Sequence, residues 1–146
     1  MQKERLIKSK ERVKERGEVF TPSWLVKDMC DTIPSEIWES IESTFLEPAC
    51  GNGNFLVEIY ARKLQWCKTE KEGLKALSSI YGIDIMPDNC TESRVRLAEM
   101  FVDKFPDSND FARLTALAIV NNNIICGDSL EIQRKWEREN VSDKFV

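Results

Sequence analysis

The 146-residue sequence contains no histidine. That excludes a Ser-His-Asp triad, a Cys-His dyad and any histidine-ligated zinc or iron centre. Long apolar runs are also missing: none approaches the ~18 residues a membrane span needs. Met1-Gln2-Lys3-Glu4-Arg5 leads into no apolar stretch of the kind a secretion signal carries. Cysteines are few and scattered. Cys30, Cys50, Cys67, Cys90 and Cys126 never come closer than 17 positions, so no CxxC redox or zinc pair exists. Their odd number and the missing secretion signal predict reduced thiols in a cytoplasmic setting, most of them small core residues. The five prolines, Pro22, Pro34, Pro48, Pro87 and Pro106, are never adjacent.

Apolar residues make up 42% and charged residues 32% of the chain, which suits one packed domain rather than a disordered chain. The net charge of −4 is unevenly spread. Residues 1–16 hold seven basic and three acidic residues, while residues 17–146 hold fourteen and 22. The sequence therefore divides into a basic helical arm, 1–16, and an acidic body, 17–146. Two readings of the arm stand: a solvated, solubilising helix, or a segment that contacts phosphates. The body lacks the broad basic footprint of a nucleic-acid-binding surface.

Along the body, helical and strand patterns alternate. Thr21-Pro22 has the form of a helix start, with Thr21 as N-cap and Pro22 at the first helical position. Leu25, Val26, Met29, Cys30 and Ile33 follow at helical spacing. Pro34-Ser35 restarts a shorter helix. Residues 44–47 read as a strand ended by Pro48. Phe55, Leu56, Ile59, Tyr60 and Leu64 form an amphipathic helical pattern. A further helix is expected over 68–78, a strand over 80–85, and a long helix from Pro87 carrying Leu97, Ala98, Phe101, Val102 and Phe105. Phe111, Leu114, Leu117 and Ala118 predict another helix, and Ile124-Ile125-Cys126 a third strand. This alternation implies a mostly parallel sheet covered on both faces. Ligands of such sheets bind beyond the carboxyl ends of the strands. Three polar groups sit there: Glu47 to Asn54, Asp84 to Met86, and Asp128-Ser129.

The first of these is a strand, a glycine loop and a helix start. Gly51 and Gly53 let backbone turn tightly and approach a ligand with no Cβ in the way. Free N–H groups at the helix start suit a carboxylate, and Glu47 suits a cationic group. A dinucleotide site would place a third glycine at Leu56 and an acidic residue about 20 positions on, whereas Asp84 lies 31 past Gly53. A ligand without phosphates fits better: an amino acid joined to a nucleoside, as in S-adenosylmethionine (SAM). Asp84 would accept hydrogen bonds from the ribose hydroxyls and Asp128 one from the adenine amino group. The competing reading makes each aspartate a strand-ending cap of the next helix.

The phrases Gly17-Glu18-Val19-Phe20-Thr21-Pro22, Leu46-Glu47-Pro48-Ala49-Cys50-Gly51-Asn52-Gly53, Gly82-Ile83-Asp84-Ile85 and Cys126-Gly127-Asp128-Ser129-Leu130 together resemble the SAM-binding half of adenine-specific (N6) DNA methyltransferases. The likeness is to those of bacterial and prophage restriction–modification systems, and it covers about residues 11–146. It implies an α/β fold, the first three parallel strands of an incomplete Rossmann-like, class I SAM-dependent methyltransferase sheet in the order 3-2-1, with flanking helices. It implies that Phe20, Thr21 and Pro22 enclose the methionine part of SAM and that Glu47, Ala49, Gly51 and Gly53 line the same side. Asp84 would hold the ribose, Ile85 would lie against adenine, and Asp128 would read its amino group with Ser129 alongside. DNA is the implied partner of the complete enzyme, and no metal is implied.

One motif of the family is absent. These enzymes orient the target amine with an Asn- or Asp-Pro-Pro-Tyr sequence at the end of a fourth strand, whose aromatic residue stacks on the flipped base. With no adjacent prolines here, no catalytic residue can be assigned. A polar helix is expected from about Ser129 to Glu139, followed by Ser142-Asp143-Lys144-Phe145-Val146 where the family's fourth strand would approach. The expectation is therefore a cofactor-binding piece: half of a split enzyme completed by a second polypeptide, a degenerate prophage frame, or a shortened chain. The alternative is a non-catalytic SAM-binding or protein-interaction module. Incubated alone with tritiated SAM and mixed-sequence DNA, the chain is expected to leave the DNA unlabelled. Sequence-specific incorporation would require a substitute amide, such as Asn52 or Asn54.

Overall fold

A computed structural model of the chain describes residues 3–144, with side chains through residue 139. Phe145 and Val146, the end of the expected approach to a fourth strand, lie outside the described residues. Helix α1 spans Lys10–Arg16, α2 Ser23–Asp31 and α3 Ser35–Glu39. Strand β1 (Phe45–Glu47) is followed by α4 (Asn54–Leu64) and α5 (Glu70–Ser78). Strand β2 (Ile80–Asp84) is followed by α6 (Pro87–Lys104) and α7 (Asp110–Asn123). Strand β3 (Ile124–Cys126) leads into α8 (Ser129–Lys144). The sheet is parallel with β2 in the middle, Phe45 opposite Ile80 and Gly82 opposite Ile124. This is the expected α/β arrangement of three parallel strands flanked by helices. No helix among the described residues is long and apolar enough to cross a membrane.

The core sits where α4, α6 and α7 meet the sheet. Leu56, Tyr60, Leu77, Ile80, Ile83, Leu97, Phe101, Val120 and Ile124 are at most 2% exposed. Each larger aliphatic or aromatic side chain buried in this way contributes about 1.5–3 kcal/mol. Two large polar side chains of the core are paired: the Tyr60 hydroxyl donates to Gly73 O at 2.9 Å. Lys63 is fully buried, and its ammonium donates to Ile41 O at 2.9 Å and Ser43 O at 2.5 Å. Its Nζ lies 5.0 Å from the Phe45 ring centroid, and burial pushes it down to about 8. Lys63 thus ties the segment entering β1 to α4. Phe45 itself stacks on Trp38 at 5.1 Å.

One local expectation is corrected. Helix α2 begins at Ser23 with Pro22 as its N-cap, and Thr21 does not cap it. The Thr21 carbonyl instead accepts from Asn54 Nδ2 at 2.8 Å. The capping acceptor comes from the N-terminal segment, where the Glu4 carboxylate takes the Ser23 N–H at 3.0 Å. On α7 the buried face is Ala112, Ala116, Val120 and Asn123. Phe111, Leu114 and Leu117, which marked this helix in the sequence, are 79%, 64% and 45% exposed. The small alanines let α7 approach its neighbouring helices closely, and the large residues are left on the outside.

Among the described residues, strand β1 is an edge. The Phe45 N–H donates to Ser79 O at 3.0 Å. In a parallel ladder alternate residues turn both backbone groups the same way, so those of Leu46 face away from β2. The Leu46 side chain is also 47% exposed. Such an edge invites pairing. The chain is expected to self-associate at tens of micromolar in sedimentation, and Leu46→Lys to suppress this. In the dilute monomer, hydrogen exchange should find the Phe45 amide protected and the Leu46 amide fast. A clean monomer with both amides protected would mean that the edge is covered from within the chain.

Candidate functional site

The site is built from the carboxyl ends of the three strands and from the segment before α2. After Glu47 the chain leaves β1 but stays on the sheet, because the Cys50 N–H donates to Ile83 O at 2.9 Å. Close packing requires Gly82 beneath it: a Cβ there would lie 2.9 Å from Leu56 Cδ1 and 3.1 Å from Cys50 Sγ. The loop then turns through two left-handed glycines, Gly51 at φ 53° and Gly53 at φ 96°. Gly53 is the N-cap of α4. A Cβ on it would sit 2.8 Å from Ser93 Oγ, so both conformation and space demand glycine.

Helix α6 holds the loop in place. Ser93 Oγ donates to Gly51 O at 3.2 Å, and Arg96 Nη1 donates to Asn52 O and Asn54 Oδ1, both at 2.9 Å. Asn54 in turn fixes the Thr21 carbonyl. Phe20 is 6% exposed and lies across the loop, close enough that a Cβ on Gly51 would be 3.1 Å from its ring. The Phe20 N–H is bonded to Leu6 O at 2.7 Å.

These elements surround a cleft of about 430 Å³, within the usual range for small-molecule sites. Of the residues expected from sequence, Phe20, Thr21, Glu47, Ala49, Gly51, Asp84, Ile85, Asp128 and Ser129 line it. Pro22 and Gly53 do not: Pro22 caps α2 and Gly53 packs behind the wall against Ser93. Sequence reasoning missed Arg16 and Glu18, which also line the cleft. Glu18 lies inside the Gly17 to Pro22 phrase, and its position there was the available signal.

The cleft is rich in acceptors. Four of its lining residues are acidic, Glu18, Glu47, Asp84 and Asp128, against the single basic residue Arg16. Asp84 Oδ1 accepts from the Gly51 N–H at 3.1 Å. Its Oδ2 accepts from the Met86 N–H at 3.0 Å and from Asn89 Nδ2 at 2.9 Å. A carboxylate offers about four lone-pair sites, so Oδ1 retains acceptor capacity on the cleft side. Asp128 Oδ1 accepts from the Leu130 N–H at 2.9 Å, which makes Asp128 a cap of α8 as well as a lining residue. Glu47 accepts from the Ala49 N–H at 3.2 Å, and burial raises its carboxyl above the usual range. The Cys50 thiol, beside the cleft, is pushed up to about 12 by burial and by the charge of Asp84. It therefore stays protonated at neutral pH and is no nucleophile.

The basic arm is docked on the body. Lys8 Nζ reaches Asp88 Oδ2 and Glu92 Oε2, both at 3.0 Å, and Asn89 Oδ1 at 2.6 Å. Arg12 bridges Glu18 and Asp88, with Nε 2.8 Å from Glu18 Oε1 and Nη1 2.6 Å from Asp88 Oδ2. The Arg12 guanidinium, helped by Lys8, holds the Asp88 carboxyl well below the usual carboxylate range. Both basic groups therefore bind carboxylates of the protein itself. Among the described residues no cluster of three or more Cys, Asp or Glu is set to hold a metal ion.

Residues 4–106 match the family model described as N-6 DNA Methylase. A curated relative, the Type II methyltransferase M.VspI of Vibrio sp. (strain 343), is 34% identical over 86 residues. That alignment covers 59% of this chain and 18% of the relative, so the chain spans less than a fifth of that protein. No solved structure matches. The matched segment runs from the capping Glu4 through the glycine loop and Asp84 to the end of α6, and comprises well over half of the chain, which therefore belongs to the N-6 DNA methylase family.

Proposed function

We propose that the cleft binds SAM and that the chain is the cofactor-binding part of an adenine-specific (N6) DNA methyltransferase of the restriction–modification type, working in the cytoplasm. The observation that carries this reading is the convergence of Glu47, Asp84 and Asp128 on one acidic cleft beside a glycine loop. SAM carries a sulfonium and an ammonium, and supplies the methyl group when bound. Glu47, half-buried and in no ion pair among the described residues, suits the ammonium. Asp84, with acceptor capacity remaining on Oδ1, suits the ribose hydroxyls. Ile85, 43% exposed, offers an apolar surface for the adenine ring, and Asp128 an acceptor for its amino group. Phe20 and Thr21 close the side toward the methionine. Gly51 leaves room where a Cβ would meet Phe20.

Methyl transfer to adenine in DNA needs groups beyond these: an amide to orient the amine and a ring to stack on the flipped base. The sequence has no adjacent prolines and no Asn-Pro-Pro-Tyr. A second polypeptide or further chain carrying that motif and the DNA contacts completes the enzyme in this reading.

Calorimetric titration is expected to give SAM and S-adenosylhomocysteine dissociation constants on the order of 10–100 µM, about −5.5 to −7 kcal/mol. Asp84→Ala should weaken binding by about 1.5–3 kcal/mol, through lost charged hydrogen bonds. Unaltered binding by that variant would remove the ribose assignment, and binding weaker than millimolar by the folded parent would remove the cofactor. Glu47 gives an opposed pair of effects. Its carboxyl is raised in the fold, so its contribution favours folding at low pH and is lost as pH rises through the raised value. At pH 7 the uncompensated charge is a cost. Glu47→Gln should therefore melt above the parent at pH 7 and lose that advantage near pH 4, while binding SAM about tenfold more weakly. The parent's own affinity should fall as pH drops through the raised Glu47 value.

A further inference from the structure

Asn89 lies one turn into α6, is 0% exposed and does not line the cleft. Its amide stands between two carboxylates that do. Nδ2 donates to Asp84 Oδ2 at 2.9 Å and to Glu18 Oε2 at 2.8 Å. On its other side, Oδ1 accepts from Lys8 Nζ at 2.6 Å. Chemistry fixes this orientation, because carboxylates can only accept and an ammonium can only donate. The partners are themselves held. Lys8 commits its three N–H groups to Asn89, Asp88 and Glu92. Arg12 grips Glu18 through Nε and Nη2 and Asp88 through Nη1 and Nη2. A chain of bonds thus runs from the basic arm through one buried amide to Asp84.

We propose that Asn89 is a positioning residue for ribose recognition: its amide holds the Asp84 carboxylate so that Oδ1 faces the cleft, and Lys8 of the N-terminal arm holds the amide. This inference rests on the SAM reading of the cleft. The geometry requires an amide. An aliphatic residue would leave two carboxylates adjacent with no donor between them, and Asp84 Oδ2 with the Met86 N–H alone. Asn89 touches no ligand. Its effect reaches the cofactor only through Asp84, so it depends on the ligand's hydroxyls. The arm then has a role inside the protein that needs no phosphate.

The test compares S-adenosylhomocysteine with its 2′,3′-dideoxy analogue on the whole chain, by calorimetry, with folding checked by circular dichroism. The parent should prefer the hydroxylated ligand. Asn89→Leu should weaken S-adenosylhomocysteine binding by about five- to tenfold and leave the analogue within twofold. Lys8→Met, which leaves the amide and both carboxylates in place, should give a smaller loss of two- to fivefold confined to the same ligand. Equal weakening of both ligands by Asn89→Leu would mean a merely structural role and would overturn the inference. If Asn89→Leu does not fold, an unchanged hydroxyl preference in Lys8→Met overturns it. A folded parent that binds the hydroxylated ligand with no preference over the analogue removes the ribose role alone. A folded parent that binds neither ligand removes the SAM reading, and this inference with it.

Discussion

The Asp84 carboxylate is the point at which separately encoded segments of this chain are joined. It ends the central strand and receives the Gly51 N–H of the glycine loop, the Met86 N–H before α6 and the Asn89 amide within α6. Through Asn89 it is linked to Glu18, and through Glu18 and Lys8 to the N-terminal arm. A parallel sheet leaves its strand ends polar and open. Here that opening is held in one shape by hydrogen bonds that meet at a single side chain. Without a fixed acceptor at Asp84, the loop, the helix start and the Gly17 to Pro22 segment would each lose a reference.

Helix α6 is the element that fixes the others. Asn89, Ser93 and Arg96 lie at helical spacing on one face and reach, in order, the strand end, Gly51 and the start of α4. Asp88 and Glu92 of the same helix take the arm. The adjoining side of α6 supplies Leu97 and Phe101 to the core. The cleft is therefore supported by regular structure rather than by loops alone, and functional constellations are held most accurately in that way. The electrostatic consequence is a concentration of negative charge. Four acidic residues face one cavity, and burial raises the carboxyl of Glu47 above the usual range.

The three strands and the polar groups at their ends were legible in the sequence. Short apolar runs bounded by Pro48, by Pro87 and by Gly127 leave little choice of element. Glycine chemistry made Gly51 and Gly53 conspicuous, though only the structure separates Gly51 in the cleft wall from Gly53 behind it. The buried face of α7 was not legible, because side-chain size misled: close helix packing selected Ala112 and Ala116 over Phe111 and Leu114. Nor was the cap of α2, which comes from Glu4, 19 positions before Ser23. Asn89 and Glu18 lie 71 positions apart, and no local pattern joins an amide to a carboxylate at that distance. Such contacts follow from tertiary placement, which helical period and strand alternation do not encode.

In the proposed complex Asp84, held by Asn89, faces a SAM ribose. A crystal structure of the chain soaked with S-adenosylhomocysteine tests it most directly. The account predicts ligand density in the cleft between Phe20 and Ile85. The ribose hydroxyls should lie within hydrogen-bond distance of Asp84, and the Asp84–Asn89 and Asn89–Glu18 bonds should be unchanged from the unliganded chain. A ligand bound elsewhere, or one in the cleft whose ribose contacts another residue while Asp84 turns away, would contradict it.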